Sequence, residues 1–212
     1  MLEARSDPSV IPMKLASISL LTVCGLEELE HHGARAVTHV LSILDPDWPD
    51  PEAFSAYDPH HRTILRFHDS IEPGPGVMLP EVGHVEAILG FGRALAHGAE
   101  ERQEGEGHLL IHCHAGISRS TAAMAMILAQ GHPDADEEAI FRRLQEIRPQ
   151  AWPNSLMIGF ADDLLSRNGR MTAAAARLYA RQLKARPHLA DTMRGLGRAR
   201  EVEMAGEAKS AA

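Results

Sequence analysis

His112-Cys113-His114-Ala115-Gly116-Ile117-Ser118-Arg119-Ser120 is the stretch that decides the fold of this chain. An apolar run, Leu109-Leu110-Ile111, leads into it and reads as a strand ending at the cysteine; Arg119 opens an apolar helix read over Thr121 to Gln130. Strand, cysteine, tight loop, arginine, helix is an order that builds a pocket for one phosphate dianion with a nucleophile at its floor. A helix N-terminus offers unpaired N–H groups and a partial positive charge, and a loop curled around the anion adds more backbone donors. Gly116 allows backbone angles and a close approach that a side chain would block. Arg119 presents a planar fork able to hold two phosphate oxygens at once. The same positive field favours the thiolate of Cys113, the form that attacks phosphorus. Ser120 supplies a hydroxyl that can bond the thiolate and help it leave. From the composition of the chain, with 13 His, 2 Cys and 17 Gly, the expected number of accidental matches with both the glycine and the arginine in place is on the order of one in a thousand.

His-Cys-x5-Arg-Ser resembles the signature of the cysteine-dependent protein tyrosine phosphatase superfamily, and its filled-in form, HCHAGISRSTA, is most similar to dual-specificity phosphatases. The resemblance implies a metal-independent hydrolase with no cofactor, acting on a phosphorylated protein (phosphotyrosine and/or phosphoserine/threonine) through a phosphocysteine intermediate. Cys113 is then the nucleophile. Arg119 and the loop at His114, Ala115, Gly116, Ile117 and Ser118 hold the phosphate, Ser120 eases departure of the thiolate, and His112 orders the loop and helps to keep the thiolate. His114 projects from the loop and either tunes substrate choice or is simply solvated. Arg148-Pro149-Gln150-Ala151-Trp152-Pro153-Asn154 resembles the family's segment that braces the phosphate loop from behind, which makes Asn154 a support.

Such chemistry needs a carboxylic acid to protonate the leaving oxygen, and in the family it is an aspartate on the loop after the strand that precedes the long helix. Asp69 occupies that place, although it stands 44 residues before Cys113, a longer separation than the family's. The segment Glu72-Pro-Gly-Pro-Gly76 or a longer helix can absorb the excess, and the Pro/Gly segment can let the loop swing. Asp45, Asp47, Asp50 and Asp58 are the rival acids; as residues beside proline they also read as ordinary turn formers. Other members of the superfamily act on phosphoinositides, inositol phosphates or RNA 5′-triphosphates, and a non-catalytic phosphate-binding module is a further alternative; the absence of lysine from the loop and the presence of both cysteine and arginine rank a phosphoprotein hydrolase first.

Working outward, the pattern is α/β: a central, mostly parallel sheet flanked by helices, as in cysteine phosphatases. Strands are read at Lys14–Thr22, Val37–Leu44, Thr63–Phe67 and before Cys113. A short helix is read at Leu26–His32 and stopped by Gly33, and a long one runs from Pro80 to about Glu101. Beyond the phosphate loop, Asp134 is read as the cap of a helix carrying Ile140, Phe141, Leu144 and Ile147 inward. Another helix spans Ser155–Ser166 with Met157, Phe160, Leu164 and Leu165 inward. The division expected is a loose leader over 1–11, a phosphatase domain over 12–170, and over 171–212 an Ala-rich helix followed from Pro187 by a mobile tail dispensable for chemistry.

The bulk numbers agree. A chain of 212 residues holds one sizeable core, and 44% apolar with 24% charged residues is ordinary for a globular protein. A net charge of −8 argues against nucleic acid or an anionic membrane as partner. Leu15–Cys24 lacks the basic flank and cleavage site of a signal peptide, and no run is long enough to span a bilayer; the expected location is cytoplasmic. The paired histidines His31-His32 and His60-His61 follow no closed ligand set, so no metal is expected. Cys24, at a strand end, reads as a buried small side chain, with a regulatory disulfide to Cys113 as the alternative.

Overall fold

The structure, a computed structural model of the chain, describes Leu15 and residues 18–97 and 107–210. Four strands form one parallel sheet in the order β1-β4-β2-β3: β1 at Ile18–Cys24, β2 at His39–Leu44, β3 at His61–Arg66 and β4 at Gly107–His112. The expected mostly parallel sheet is thus parallel throughout. β4 lies between β1 and β2 and is buried along its whole length, which is why it reads as an unbroken apolar run and not as an alternation.

Successive side chains still point to opposite faces. Leu109 and Ile111 join Val23, Leu41 and Ile43 in the main core, whereas Leu110 turns the other way to meet Val40, Leu29 and Phe54. The main core is roofed by helices: α1 at Val82–His97, α2 at Arg119–Gly131, α3 at Glu137–Ile147, α4 at Ser155–Leu164 and α5 at Arg170–Ala185. Among the described residues the opposite face carries two short 3-10 turns, Leu26–His32 and Glu52–Ala56. α2 is the axis of the helical layer. Ala122, Ala123, Ala125 and Ala129 keep it slim enough to be fully buried against the sheet, α1, α3 and α4, with its C-terminal carbonyls at Ala129 and His132 capped by the buried Arg167, itself paired with Glu137 at 3.0 Å.

Most sequence boundaries shift by a residue or two. β1 starts at Ile18 and runs to Cys24, and the part of the first strand read at Lys14 lies outside the described residues, as do the leader over 1–11 and the stretch 98–101 of the long helix. The cap of α3 is Asp136, whose carboxylate accepts the Glu138 N–H at 3.0 Å, and not Asp134. Leu164, expected inside, is exposed at the end of α4. His108 and His112, unlike typical surface histidines, are buried within β4.

The largest departure is at the C-terminus. The sequence predicts a mobile stretch after Pro187 because few large apolar residues stand there, yet it forms α6 at Leu189–Gly195 and α7 at Ala199–Ser210. α7 packs on α5 through Val202 and Ala205. What holds it is polar as much as apolar: Glu201 is fully buried and accepts from Trp152 Nε1 at 2.5 Å and from the Ser155 N–H at 2.8 Å. Among the described residues no helix is long and apolar enough to cross a membrane.

Candidate active site

Because all four strands are parallel, their C-terminal ends lie along one edge, and the chain leaving each strand meets the others there. Gly25 follows β1, Asp45 follows β2, Phe67–Asp69 follows β3 and Cys113 follows β4. Cys113 is 1% exposed, and its Sγ lies 3.1 Å from the Ser120 hydroxyl in the first turn of α2.

Between them the loop is shaped by its carbonyls. The His114 carbonyl accepts the Leu26 N–H at 2.9 Å; that of Ala115 accepts Arg148 Nη2 at 3.1 Å; and that of Gly116 accepts Arg148 Nε at 2.9 Å. The Ile117 carbonyl accepts the Trp152 N–H at 2.9 Å, and the Ser118 carbonyl accepts from Ala122 at 2.9 Å and from Asn154 at 3.4 Å. In a trans peptide the N–H points opposite to the C=O. Carbonyls turned outward over 114–118 therefore turn the N–H groups of 115–119 inward, toward the space above Cys113. Gly116 makes this possible. Its φ is +67°, and a Cβ there would stand 2.4 Å from the Cys24 carbonyl carbon and 2.6 Å from the Gly25 nitrogen. The loop rests directly on the backbone after β1, where Gly25 in turn would drive a Cβ to 2.9 Å from the His114 oxygen.

Arg148 braces the loop from outside. Its Nη1 and Nη2 are held by Glu28 at 2.8 Å each, and Glu28 also accepts the Gly25 N–H at 2.6 Å. The Arg148 hydrogen bonds hold the Glu28 carboxyl below its ordinary range. Arg148 is the residue of the Arg148–Asn154 segment whose side chain bonds the loop, whereas Asn154 caps α4 by accepting the Met157 N–H at 3.1 Å and serves a second partner described below.

Arg119 is 2% exposed, and its Nη1 donates to Asp45 Oδ1 at 2.6 Å and to the Phe67 carbonyl at 2.5 Å. Its Nε is buried with no partner among the described residues, a donor left over for a ligand. Asp45, which the sequence placed only among rival acids, is thus a rim residue that fixes Arg119. The other rivals stand elsewhere. Asp50 pairs with Arg66 at 2.6 Å on the surface, Asp47 is exposed, and Asp58 precedes β3, a strand's length of roughly 20 Å from the loop edge.

The His114 ring is not freely solvated. Nε2 accepts the Asp45 N–H at 3.2 Å and the ring packs on Trp48 with centroids 4.4 Å apart. Burial, then the neighbouring Arg119, lowers its basicity. Trp48 is 44% exposed, and its loop is clamped by Arg66 Nη1, which donates to the Asp45, Pro46 and Trp48 carbonyls. His112 Nε2 lies 2.7 Å from the Ser42 hydroxyl, and burial pushes its pKa down to about 3. Its ring is therefore neutral, so any support it gives to the loop and to Cys113 is not through a charge of its own. Cys24 is a free, buried cysteine whose thiol is pushed up to about 12 by burial.

Asp69 touches the loop that follows Cys113. Its Oδ1 accepts from Ser118 Oγ at 2.7 Å, from Asn154 Nδ2 at 3.0 Å and from Arg198 Nη1 at 2.9 Å, while Oδ2 has no hydrogen bond to the described residues. The long spacing to Cys113 is absorbed as a closed excursion. The His68 N–H bonds the Met78 carbonyl at 2.8 Å and the Met78 N–H returns to His68 Nδ1 at 2.9 Å, so that Glu72–Gly76 loops out without moving Asp69. Burial raises the proton affinity of this carboxyl, but Arg198, Arg119 and the Ser118 and Asn154 donors outweigh it and hold Asp69 below the ordinary carboxylate range. Arg198, a residue of the stretch read as a tail, is the member of the site that sequence reasoning missed. No local motif marks it; the only signal is an Arg198-x-x-Glu201 pair in otherwise unremarkable sequence.

No protein-family model matches the chain and no curated protein sequence matches it. Solved structures do. A mouse putative dual specificity phosphatase, crystallised with zinc tungstate, has a TM-score of 0.50 over 82% of this chain and 96% of its own, at 16% identity. The PTP-2 phosphatase of Cydia pomonella has a TM-score of 0.50 over 68% of this chain and 84% of its own, at 18% identity. At such identities the likeness is one of fold. Parallel sheet, buried central helix and a cysteine loop at their junction together give this chain the fold of the dual-specificity phosphatases.

Proposed function

We propose that the chain is a phosphomonoester hydrolase that acts on phosphoproteins, at phosphotyrosine and/or phosphoserine/threonine, through a phosphocysteine intermediate. The observation that carries this reading is the loop itself: a buried cysteine faced by inward amides of residues 115–119 and by the arginine that ends the loop. Those amides and the spare donors of Arg119 bind the phosphate oxygens and stabilise the charge that spreads over them in the transition state. Cys113 attacks phosphorus as thiolate, the P–O bond to the leaving group breaks, and Asp69 delivers a proton to the departing oxygen. Water then attacks the phosphocysteine with Asp69 as base, the P–S bond breaks, and the Ser120 hydroxyl at 3.1 Å stabilises the released thiolate.

An acid must be protonated to act. Asp69 is held ionised while Arg119 and Arg198 face it, but a phosphate dianion on Arg119 cancels part of that field and returns the carboxyl toward its protonated form. The exposed indole of Trp48, fixed against His114 at the rim, offers an apolar wall to an aryl phosphate or to the peptide that carries it.

The test is hydrolysis of 4-nitrophenyl phosphate across pH in EDTA by wild type, Cys113→Ser and Asp69→Asn. Expected are turnover in chelator, loss of activity in the cysteine variant and, with phenyl phosphate as a second substrate whose leaving group needs the proton, a fall of about 10²–10⁴-fold in the aspartate variant. Turnover that survives Cys113→Ser refutes the covalent route; binding of phosphate without turnover of any phosphomonoester returns the chain to the class of phosphate-binding modules.

A further inference from the structure

We infer that the C-terminal helical pair belongs to the catalytic unit, with Arg198 as a positioning residue that locks the Asp69 carboxylate against the phosphate loop with one oxygen left free. The inference rests on the reading of Asp69 as acid and base given above.

Arg198 sits in the turn between α6 and α7, presented by Gly197, whose φ is +73°. It is 5% exposed, and its guanidinium bridges three groups from distant parts of the chain. Nη1 donates to Asp69 Oδ1 at 2.9 Å and Nη2 to Ser118 Oγ at 3.0 Å, while Nε and Nη2 are gripped by Glu201 at 3.0 and 2.9 Å. Glu201 is anchored in turn on Trp152 and Ser155, at the start of α4, beside the Asn154 that also donates to Asp69. Burying a guanidinium with the fully buried Glu201 carboxylate is costly unless geometry and hydrogen bonding are nearly complete; here each guanidinium nitrogen has an acceptor and both Glu201 oxygens are bonded. A tail serving only to cover the apolar flank of α5 needs no such group, and Val202 and Ala205 already do that.

The consequence for the acid is geometric. Ser118, Asn154 and Arg198 converge on Oδ1, which fixes the plane of the carboxylate, and Oδ2 is the oxygen left to carry a proton. The charged and titratable groups facing this carboxylate are Arg119 from α2, Arg198 from the α6–α7 turn, His114 from the phosphate loop and, from α5, the buried Tyr179, whose hydroxyl donates to the Pro153 carbonyl. Arg198 is the one cation among them that touches the carboxylate, and all three of its guanidinium nitrogens already bond Asp69, Ser118 or Glu201.

A group that positions the acid is read by the leaving group. Wild type, Arg198→Lys and the double variant Arg198→Met/Glu201→Gln, which removes the buried Glu201 charge together with its partner, are compared on 4-nitrophenyl phosphate, phenyl phosphate and an alkyl phosphate, with thermal melts alongside. Loss of positioning lowers kcat/KM by less than about 5-fold for the 4-nitrophenyl ester, whose leaving group needs little protonation, and by roughly 10²-fold or more for the phenyl and alkyl esters. The basic limb of the pH profile moves upward because Asp69 loses its nearest cation, and Arg198→Lys recovers part of both effects. A uniform loss on all esters with unmoved pH limbs, in folded protein, overturns the inference and leaves Arg198 a structural tie. Should the double variant unfold, Arg198→Lys decides alone: a steeper leaving-group dependence supports the inference, an unchanged one refutes it. A wild type that hydrolyses none of the esters overturns the phosphatase reading itself, an outcome visible from the unmutated protein.

Discussion

Gly116→Ala isolates the contact on which the phosphate loop is built. The added Cβ would stand 2.4 Å from the Cys24 carbonyl carbon and 2.6 Å from its oxygen, both backbone atoms. Non-bonded carbon atoms sit at about 3.5–4.0 Å, so the loop must lift by roughly 1 Å or the end of β1 must yield. The positive φ of +67° adds about 1–2 kcal/mol for any L side chain, and the overlap adds roughly 1–3 kcal/mol as overpacking. The total, about 2–5 kcal/mol, lowers Tm by roughly 4–20 °C for a chain of this size. The larger effect is on catalysis, because displacing the amides by about 1 Å costs on the order of 10² in rate. Gly169→Ala supplies the control: its φ is +81° and nothing lies within 4 Å of the added Cβ, so it carries the strain alone, about 1–2 kcal/mol, with activity kept. The assay is kcat/KM for 4-nitrophenyl phosphate per folded molecule, read with thermal melts of both variants. Near-wild-type turnover in Gly116→Ala, or an equal loss in both variants, would refute the argument that the backbone after β1 sets the shape of the loop.

Three further outcomes follow from the same geometry. Arg148→Ala strips donors from the Ala115 and Gly116 carbonyls and the partner from Glu28, so it should destabilise by about 1.5–3 kcal/mol and raise KM for phosphate esters; urea unfolding and steady-state kinetics check both. His112, with its folded pKa near 3 against about 6.5 unfolded, binds its proton more readily when unfolded, so stability falls as pH drops from about 6.5 toward 3, by about 1.4 kcal/mol per pH unit from this residue. His112→Gln should therefore flatten Tm between pH 7 and 5, and an unaltered slope would assign the effect to other groups; the depressed carboxylates Glu28, Asp69 and Glu137 act lower, losing their contribution only as pH falls below about 4. Iodoacetate at neutral pH should alkylate Cys113 and spare Cys24, whose thiol is pushed up to about 12, and inorganic phosphate should protect; peptide mapping that finds Cys24 modified first contradicts the site.

The parts of the site that lie within one local stretch are legible in the amino-acid sequence alone. Residues 112–120 encode strand end, loop and helix start, and the order of residue types over nine positions allows little else. Asp69 is legible from its place after the third strand, because parallel strands put all such loops on one edge. Asp45 and Trp48 are visible as part of a proline-rich loop, but their pairing with Arg119 and His114 depends on β2 being the neighbour of β4, which strand order fixes and local sequence does not. The cap of α3 lies two residues beyond the one read because Asp134 and Asp136 are chemically alike and only the folded helix shows that Asp136 accepts the Glu138 N–H.

What the sequence determined by itself is the loop from Cys113 to Ser120: cysteine, glycine, arginine and serine at spacings that short-range backbone geometry converts into one arrangement. What only the tertiary structure decided is which distant residues complete it. Arg198 lies 129 residues from Asp69 and bonds to it, and neither hydrophobic periodicity nor local spacing carries that information. Few large apolar residues after Pro187 point to a chain end too weakly held to order; but a buried Arg198–Glu201 pair seated on Trp152 and Ser155 supplies through hydrogen bonds what burial of apolar area does not. Such pairing acts only once both partners are removed from water together, so it belongs to the folded whole and not to any segment of it.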